Sequence, residues 1–204
     1  MESCHSDALG WGCLALVSYI PDPLGTFLHT LRRFLPGEHS TPHITILPPR
    51  PLRGKLETAF LEAQTMLRQF PSFEVELSQV KCFPHTNMLY LDVTHGSSQL
   101  HQLHSALNTG GLAHTEKFEF LPHLTLGGPV PECSLSAARD QADSAWRATR
   151  CSPRFRITEV VCLWLSPTAA WSDWQRISSQ SLAVGSRGAK EAAIAAAYGS
   201  NILS

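Results

Sequence analysis

Two short segments of this chain each set an imidazole and a hydroxyl two positions apart: Pro42-His43-Ile44-Thr45-Ile46-Leu47 and Pro122-His123-Leu124-Thr125-Leu126-Gly127. Aliphatic residues fill the alternate positions, so each segment reads as a strand. Side chains of a strand alternate between its faces, which puts His43 beside Thr45 and His123 beside Thr125. Imidazole titrates near neutrality. One neutral imidazole can take a proton from an attacking water or hydroxyl, while a protonated one returns a proton to the departing oxygen. The threonine hydroxyls can donate to the non-bridging oxygens of a phosphodiester, where negative charge is held. Such a scheme uses no metal and no other cofactor. A lone strand histidine is more often satisfied by hydrogen bonds of the core; the same tetrad met twice weakens that reading.

The elements that must carry these residues also repeat. Leu14 to Ile20 is apolar on both faces, as in a buried strand. Asp22-Pro23 opens a helix whose apolar positions are Leu24, Phe27, Leu28, Leu31 and Leu35, with Gly37 at its end. After the first His-x-Thr strand, Leu56, Ala59, Phe60, Ala63, Leu67 and Phe70 trace a second amphipathic helix. Phe73, Val75 and Leu77 then alternate with polar residues. The second round runs from a strand at Met88 to Val93, through a helix at Leu100, Leu103 and Leu107, to the His123 strand. A helix at Leu135 to Trp146 and an alternating strand at Phe155 and Ile157 complete it. The spacing predicts an internal duplication within one domain over 1–183, with halves at 12–80 and 87–166, each forming a lobe. An added edge strand is expected within 171–179. The small, Ala-rich stretch 184–204 is set apart as a tail.

Bulk properties exclude several classes. Lys plus Arg is 16 against Asp plus Glu 17, so no global field draws this chain onto long nucleic acid. The six cysteines form no Cys-x-x-Cys pair, which fits free thiols in a reducing cytoplasm better than a zinc ribbon or disulfide framework. The apolar run 12–20 lacks the basic flank of a signal peptide, and no stretch approaches membrane-spanning length. A monomer in the cytoplasm, with no membrane partner, is expected.

Among the other histidines, His101 and His104 sit three apart on a helix without a carboxylate or third ligand nearby, and His85 falls in the turn 83–87. Phe83, Tyr90 and Phe120 are candidates for stacking on a base. More often such strand aromatics belong to the core.

At the two His-x-Thr segments the chain resembles the two-histidine phosphoesterase superfamily, which includes the 2′-5′ RNA ligases and RNA cyclic phosphodiesterases. The duplicated layout carries the resemblance over roughly 12–166. It implies an α+β fold of two lobes, with two antiparallel sheets lining a central cleft and helices outside. It also implies that His43, Thr45, His123 and Thr125 form a catalytic tetrad. Their substrate would be a 2′,3′-cyclic phosphate on an RNA end or a cyclic nucleotide. Gly127, Gly128 and Pro129 stand where the bacterial RNA ligases often carry an arginine, which counts against tight RNA-end binding and against ligation. Arg50, Arg53 and Lys55, just past the first motif, are the expected substitutes for phosphate contact; their bland reading is a solvated loop and helix start. Phe83 and Tyr90 are the expected base contacts. The competing functions are an RNA-end or nucleotide binding module without turnover, a 2′-5′ ligase, and a metal-dependent hydrolase.

Overall fold

The apolar run near the start of the chain becomes a strand that is paired along both edges and buried on both faces. This strand, β1 (Cys13–Tyr19), lies between β2 (His43–Pro51) and β7 (Glu159–Leu165), and β8 (Gln175–Ser181) closes the order β2-β1-β7-β8. The second sheet has the order β5-β4-β3-β6, from β5 (His123–Gly127), β4 (Met88–Val93), β3 (Phe73–Phe83) and β6 (Arg154–Ile157). All pairings within both sheets are antiparallel. The helices are α1 (Leu24–Arg32), α2 (Leu56–Gln69), α3 (Ser97–Leu107) and α4 (Leu135–Arg147). The computed structural model describes residues 12–37, 40–52, 54–170 and 172–184.

The expected α+β architecture of two antiparallel sheets flanked by helices is present, with two adjustments. First, β2 runs on through Pro48 and Pro49 to Pro51 instead of stopping at Leu47, with register shifts against β1 along the way. Prolines lack the donor of an interior ladder, and β2 is an edge strand, where that loss is tolerated. Second, the halves 12–80 and 87–166 do not each close a sheet. β3 continues past Leu77 to Phe83 and folds back onto β4 through the turn at 83–87, where Asn87 takes a positive φ of 50°. A hairpin this short costs little loop entropy, so β3 joins the second half's sheet. β7, at the end of the second half, takes the equivalent place beside β1. The expected edge strand is β8, over 175–181. The tail from 185 onward lies outside the described residues.

The helices are exchanged in the same way. α1, from the first half, packs against β5, while α3, from the second, packs against β2. One continuous apolar cluster holds the layers together, with Leu28, Ile44, Ile46, Leu89, Leu100, Leu124 and Leu126 fully buried. Each such side chain contributes about 1.5–3 kcal/mol relative to exposure. Ile44, Ile46, Leu124 and Leu126 are the alternate residues of the two His-x-Thr strands, so the histidines and threonines must face the other way.

Candidate active site

β2 and β5 are the facing edge strands of their sheets, and they lie against each other. His43, Thr45, His123 and Thr125 are all half-buried on the faces opposite the apolar cluster. Their local geometry is the same in both copies. The Nδ1 of His43 lies 2.7 Å from the Thr41 carbonyl oxygen, and the Nδ1 of His123 lies 2.6 Å from that of Leu121. A carbonyl can only accept, so each Nδ1 carries a proton that it donates. In the neutral ring the lone pair is therefore on Nε2, and in the charged ring Nε2 holds the exchangeable proton. Both rings thus present Nε2 for chemistry, set by the carbonyl two residues upstream. Neither threonine hydroxyl has a hydrogen-bond partner among the described residues, which leaves both available to a ligand.

Burial lowers the proton affinity of both imidazoles below the usual histidine range. The carbonyl bonds oppose this shift in each ring. For His43 the positive charges of Arg32 and of protonated His123 lower it further. The effect of the His123 charge on His43 places both rings in one electrostatic neighbourhood. Arg32 thus adds to the burial that already favours the neutral form of His43.

Arg32 was not among the candidate residues read from sequence. It stands at the C-terminal end of α1 and is almost fully buried, with Nε donating to the Leu126 carbonyl at 3.3 Å and Nη1 to that of Ser40 at 2.7 Å. The other half has a counterpart. His104, buried on α3, donates from Nδ1 to the Ile46 carbonyl at 2.8 Å. Leu126 and Ile46 are the residues directly after the two threonines. A basic side chain from each half therefore braces the His-x-Thr strand of the other. The signal in sequence was only a basic residue near the end of each helix, which is common for other reasons.

Arg50 corrects an expectation. It does not reach out to a phosphate, nor is it solvated. It is among the most buried side chains, and its guanidinium donates to the Asn108 side chain at 2.6 Å, the Leu112 carbonyl at 2.9 Å and Glu116 at 2.6 Å, with Nε on the Pro48 carbonyl. Strand β2 is thereby tied to the segment that leads into β5. Phe120, from the same segment, stacks on His104 with ring centroids 3.9 Å apart and is engaged there, away from a stacking role. Arg53 lies outside the described residues, and Lys55 is exposed at the start of α2. Phe83 and Tyr90 do come to the site. They stack on each other at 4.1 Å, and both meet the ring of His123 edge-on, at 5.0 and 5.4 Å. Tyr19 meets His43 edge-on at 6.4 Å.

The Gly127-Gly128-Pro129 stretch has a packing reason. A Cβ on Gly127 would sit 2.7 Å from Leu35 Cβ and 2.9 Å from the Pro36 carbonyl. Gly128, at φ 126°, donates its N–H to that same carbonyl at 2.6 Å. Leu35 and Pro36, just past α1, fill the space beside the strand, so only glycine fits there. Among the described residues no three His, Cys, Asp or Glu side chains are grouped to hold a metal. None of the described helices is long and apolar enough to cross a membrane.

Comparison with known proteins agrees with this fold. Crystal structures of E. coli LigT resemble the chain with TM-scores of 0.62 in the apo form and 0.57 in the complex with 3′-AMP. At 17% and 18% identity they cover 85% and 83% of this chain and 98% and 97% of theirs. A Geobacillus thermodenitrificans protein with a provisional phosphoesterase name is 30% identical over 92 residues, 44% of this chain. That alignment spans about half of the relative's length, 53%. A similarly named Geobacillus kaustophilus protein is 25% identical over 120 residues, 57% of this chain and 69% of its own. The family model for the 2′-5′ RNA ligase superfamily matches residues 20–169, a stretch that takes in both His-x-Thr strands and the helices exchanged between them. This chain belongs to the 2′-5′ RNA ligase superfamily.

Proposed function

We propose that the chain is a metal-independent phosphoesterase that opens 2′,3′-cyclic phosphates on RNA ends or nucleotides, with His43 as general base and His123 as general acid. The observation that carries this reading is the matched pinning of both Nδ1 atoms, which leaves two Nε2 atoms on adjoining edge strands. His43 takes the proton of the attacking water, as its burial and the Arg32 charge favour the neutral ring. Water oxygen bonds to phosphorus, the bond to one ribose oxygen breaks, and His123 gives its Nε2 proton to that oxygen. Thr45 and Thr125 donate to the non-bridging oxygens. The product is a ribose monophosphate, and proton exchange with solvent resets the pair. The Phe83–Tyr90 pair beside His123 supports placing the nucleoside, which carries the departing oxygen, over the second sheet.

The test is turnover of a panel of 2′,3′-cyclic mononucleotides and cyclic-ended oligonucleotides in the presence of a chelator, with the product phosphate position read out. Hydrolysis that persists under chelation supports the reading. Binding without turnover would leave a nucleotide-binding module. Activity abolished by chelation and restored by one divalent ion would replace the scheme with a metal-dependent one.

A further inference from the structure

The face of the second sheet that carries His123 continues beyond the aromatic pair. On β4, Asp92 lies opposite His123 and Tyr90 opposite Thr125; on β3, Lys81 lies opposite Tyr90 and Phe83 opposite Met88. Directly opposed residues project to the same face. Asp92 is held in place there: its Oδ1 accepts the Gln79 backbone N–H at 2.6 Å, and its Oδ2 takes the Lys81 ammonium at 2.6 Å. The Lys81 side chain keeps 46% of its exposure. An ammonium has three donors, so the contact with Asp92 directs the group and leaves two donors toward solvent. Strands lie about 4.8 Å apart, which sets β3 two strand spacings, roughly 10 Å, from β5, a gap that a lysine side chain partly bridges.

In the proposed scheme the departing ribose oxygen leaves toward His123, so a terminal nucleoside would lie over β5 and β4 with its base at Phe83, whose ring meets that of His123. The 5′ side of that ribose then leads away from the cyclic phosphate, across β4 toward β3. We infer that Lys81, oriented by Asp92, binds the phosphodiester on the 5′ side of the terminal nucleotide, so that the substrate class is the oligonucleotide end rather than the free mononucleotide. This rests on the proposed function for the side on which the nucleoside lies. It also supplies, from β3, a cation that the Gly127-Gly128-Pro129 stretch cannot.

The experiment compares calorimetric binding of a 3′-phosphorylated dinucleotide and a nucleoside 3′-monophosphate to the full chain across a salt series. The dinucleotide should bind about fivefold more tightly at low ionic strength, the scale of one exposed ion contact. Its affinity should fall with log salt more steeply by about 0.7, one single-strand phosphate contact. Lys81→Met should remove both differences, and Lys81→Arg should keep them. A dinucleotide with a neutral methylphosphonate link should bind like the mononucleotide. A preference that survives Lys81→Met or the neutral link overturns the inference, as does the lack of any preference. Product binding needs no turnover, so the two readings fail separately. A charge-dependent preference without hydrolysis overturns the chemistry and upholds the Lys81 contact. Hydrolysis without the preference overturns the Lys81 contact alone.

Discussion

Each imidazole of the proposed catalytic pair is oriented by a local device, a hydrogen bond from Nδ1 to the carbonyl two residues upstream, and so needs no carboxylate partner. Replacing either ring removes one proton-transfer agent and leaves the aliphatic face of its strand untouched. His43→Ala and His123→Ala should each lower turnover by about 10²–10⁴-fold while the circular dichroism spectrum stays native. Near-normal activity in either variant would contradict the pair. The pH dependence of kcat/KM should be bell-shaped, since the base must be neutral and the acid charged in one molecule. Because burial lowers both proton affinities, both limbs should lie on the acid side of the ordinary histidine value of 6.5. Activity rises as His43 loses its proton and falls as His123 loses its own. Bound anionic phosphate favours the charged rings, so the kcat profile should sit at higher pH than that of kcat/KM. A maximum of kcat/KM well above 6.5 would mean that the burial seen here does not govern the titration.

At the scale of elements, the site depends on how β2 is attached to the segment before β5. Arg50 on β2 and Glu116 on that segment form a pair 2.6 Å apart, with Arg50 1% and Glu116 16% exposed. Glu116 also lies 3.5 Å from His104 Nε2, and further along the same segment Leu121 supplies the carbonyl that orients His123. Removing one partner strands a buried charge, whereas removing both does not. Glu116→Ala should therefore cost about 3–5 kcal/mol, read as a lowered urea midpoint. Arg50→Met combined with Glu116→Leu should recover a good part of that loss. The surviving folded fraction of Glu116→Ala should lose kcat more than it raises KM, because the segment positions a reacting group and holds no substrate. Additive costs in the double variant would show that the two side chains act independently.

For the whole molecule, the exchange of elements means that neither sheet is built from one half alone. β3 leaves the first half for the second sheet, β7 joins the first, and α1 and α3 each lie against the other half's His-x-Thr strand. Arg32 and His104 make the same exchange with hydrogen bonds, each to the residue after a threonine. Urea unfolding followed by tryptophan fluorescence and by far-ultraviolet circular dichroism should give coincident, single transitions. Two separated transitions would mean that the halves unfold independently in spite of the shared cluster.

What the sequence determined by itself was everything that depends on local periodicity. The alternation in the two His-x-Thr segments settled which residues face the core, and the helical stripes placed the helices, because a period of two or of 3.6 is written directly in the order of residue types. The repeated order of elements pointed to the four candidate catalytic residues. What only the tertiary structure decided was partnership between distant parts. Arg50 reads on its own as a basic residue after a proline pair, and it becomes a buried tie once Asn108, Leu112 and Glu116 close around it. Arg32 reads as a favourable charge at a helix end and becomes the cation beside His43 only when α1 docks on β5. The crossing of β3 was equally hidden: strand pairing joins residues far apart in the chain, and no local period records which edge a strand will meet.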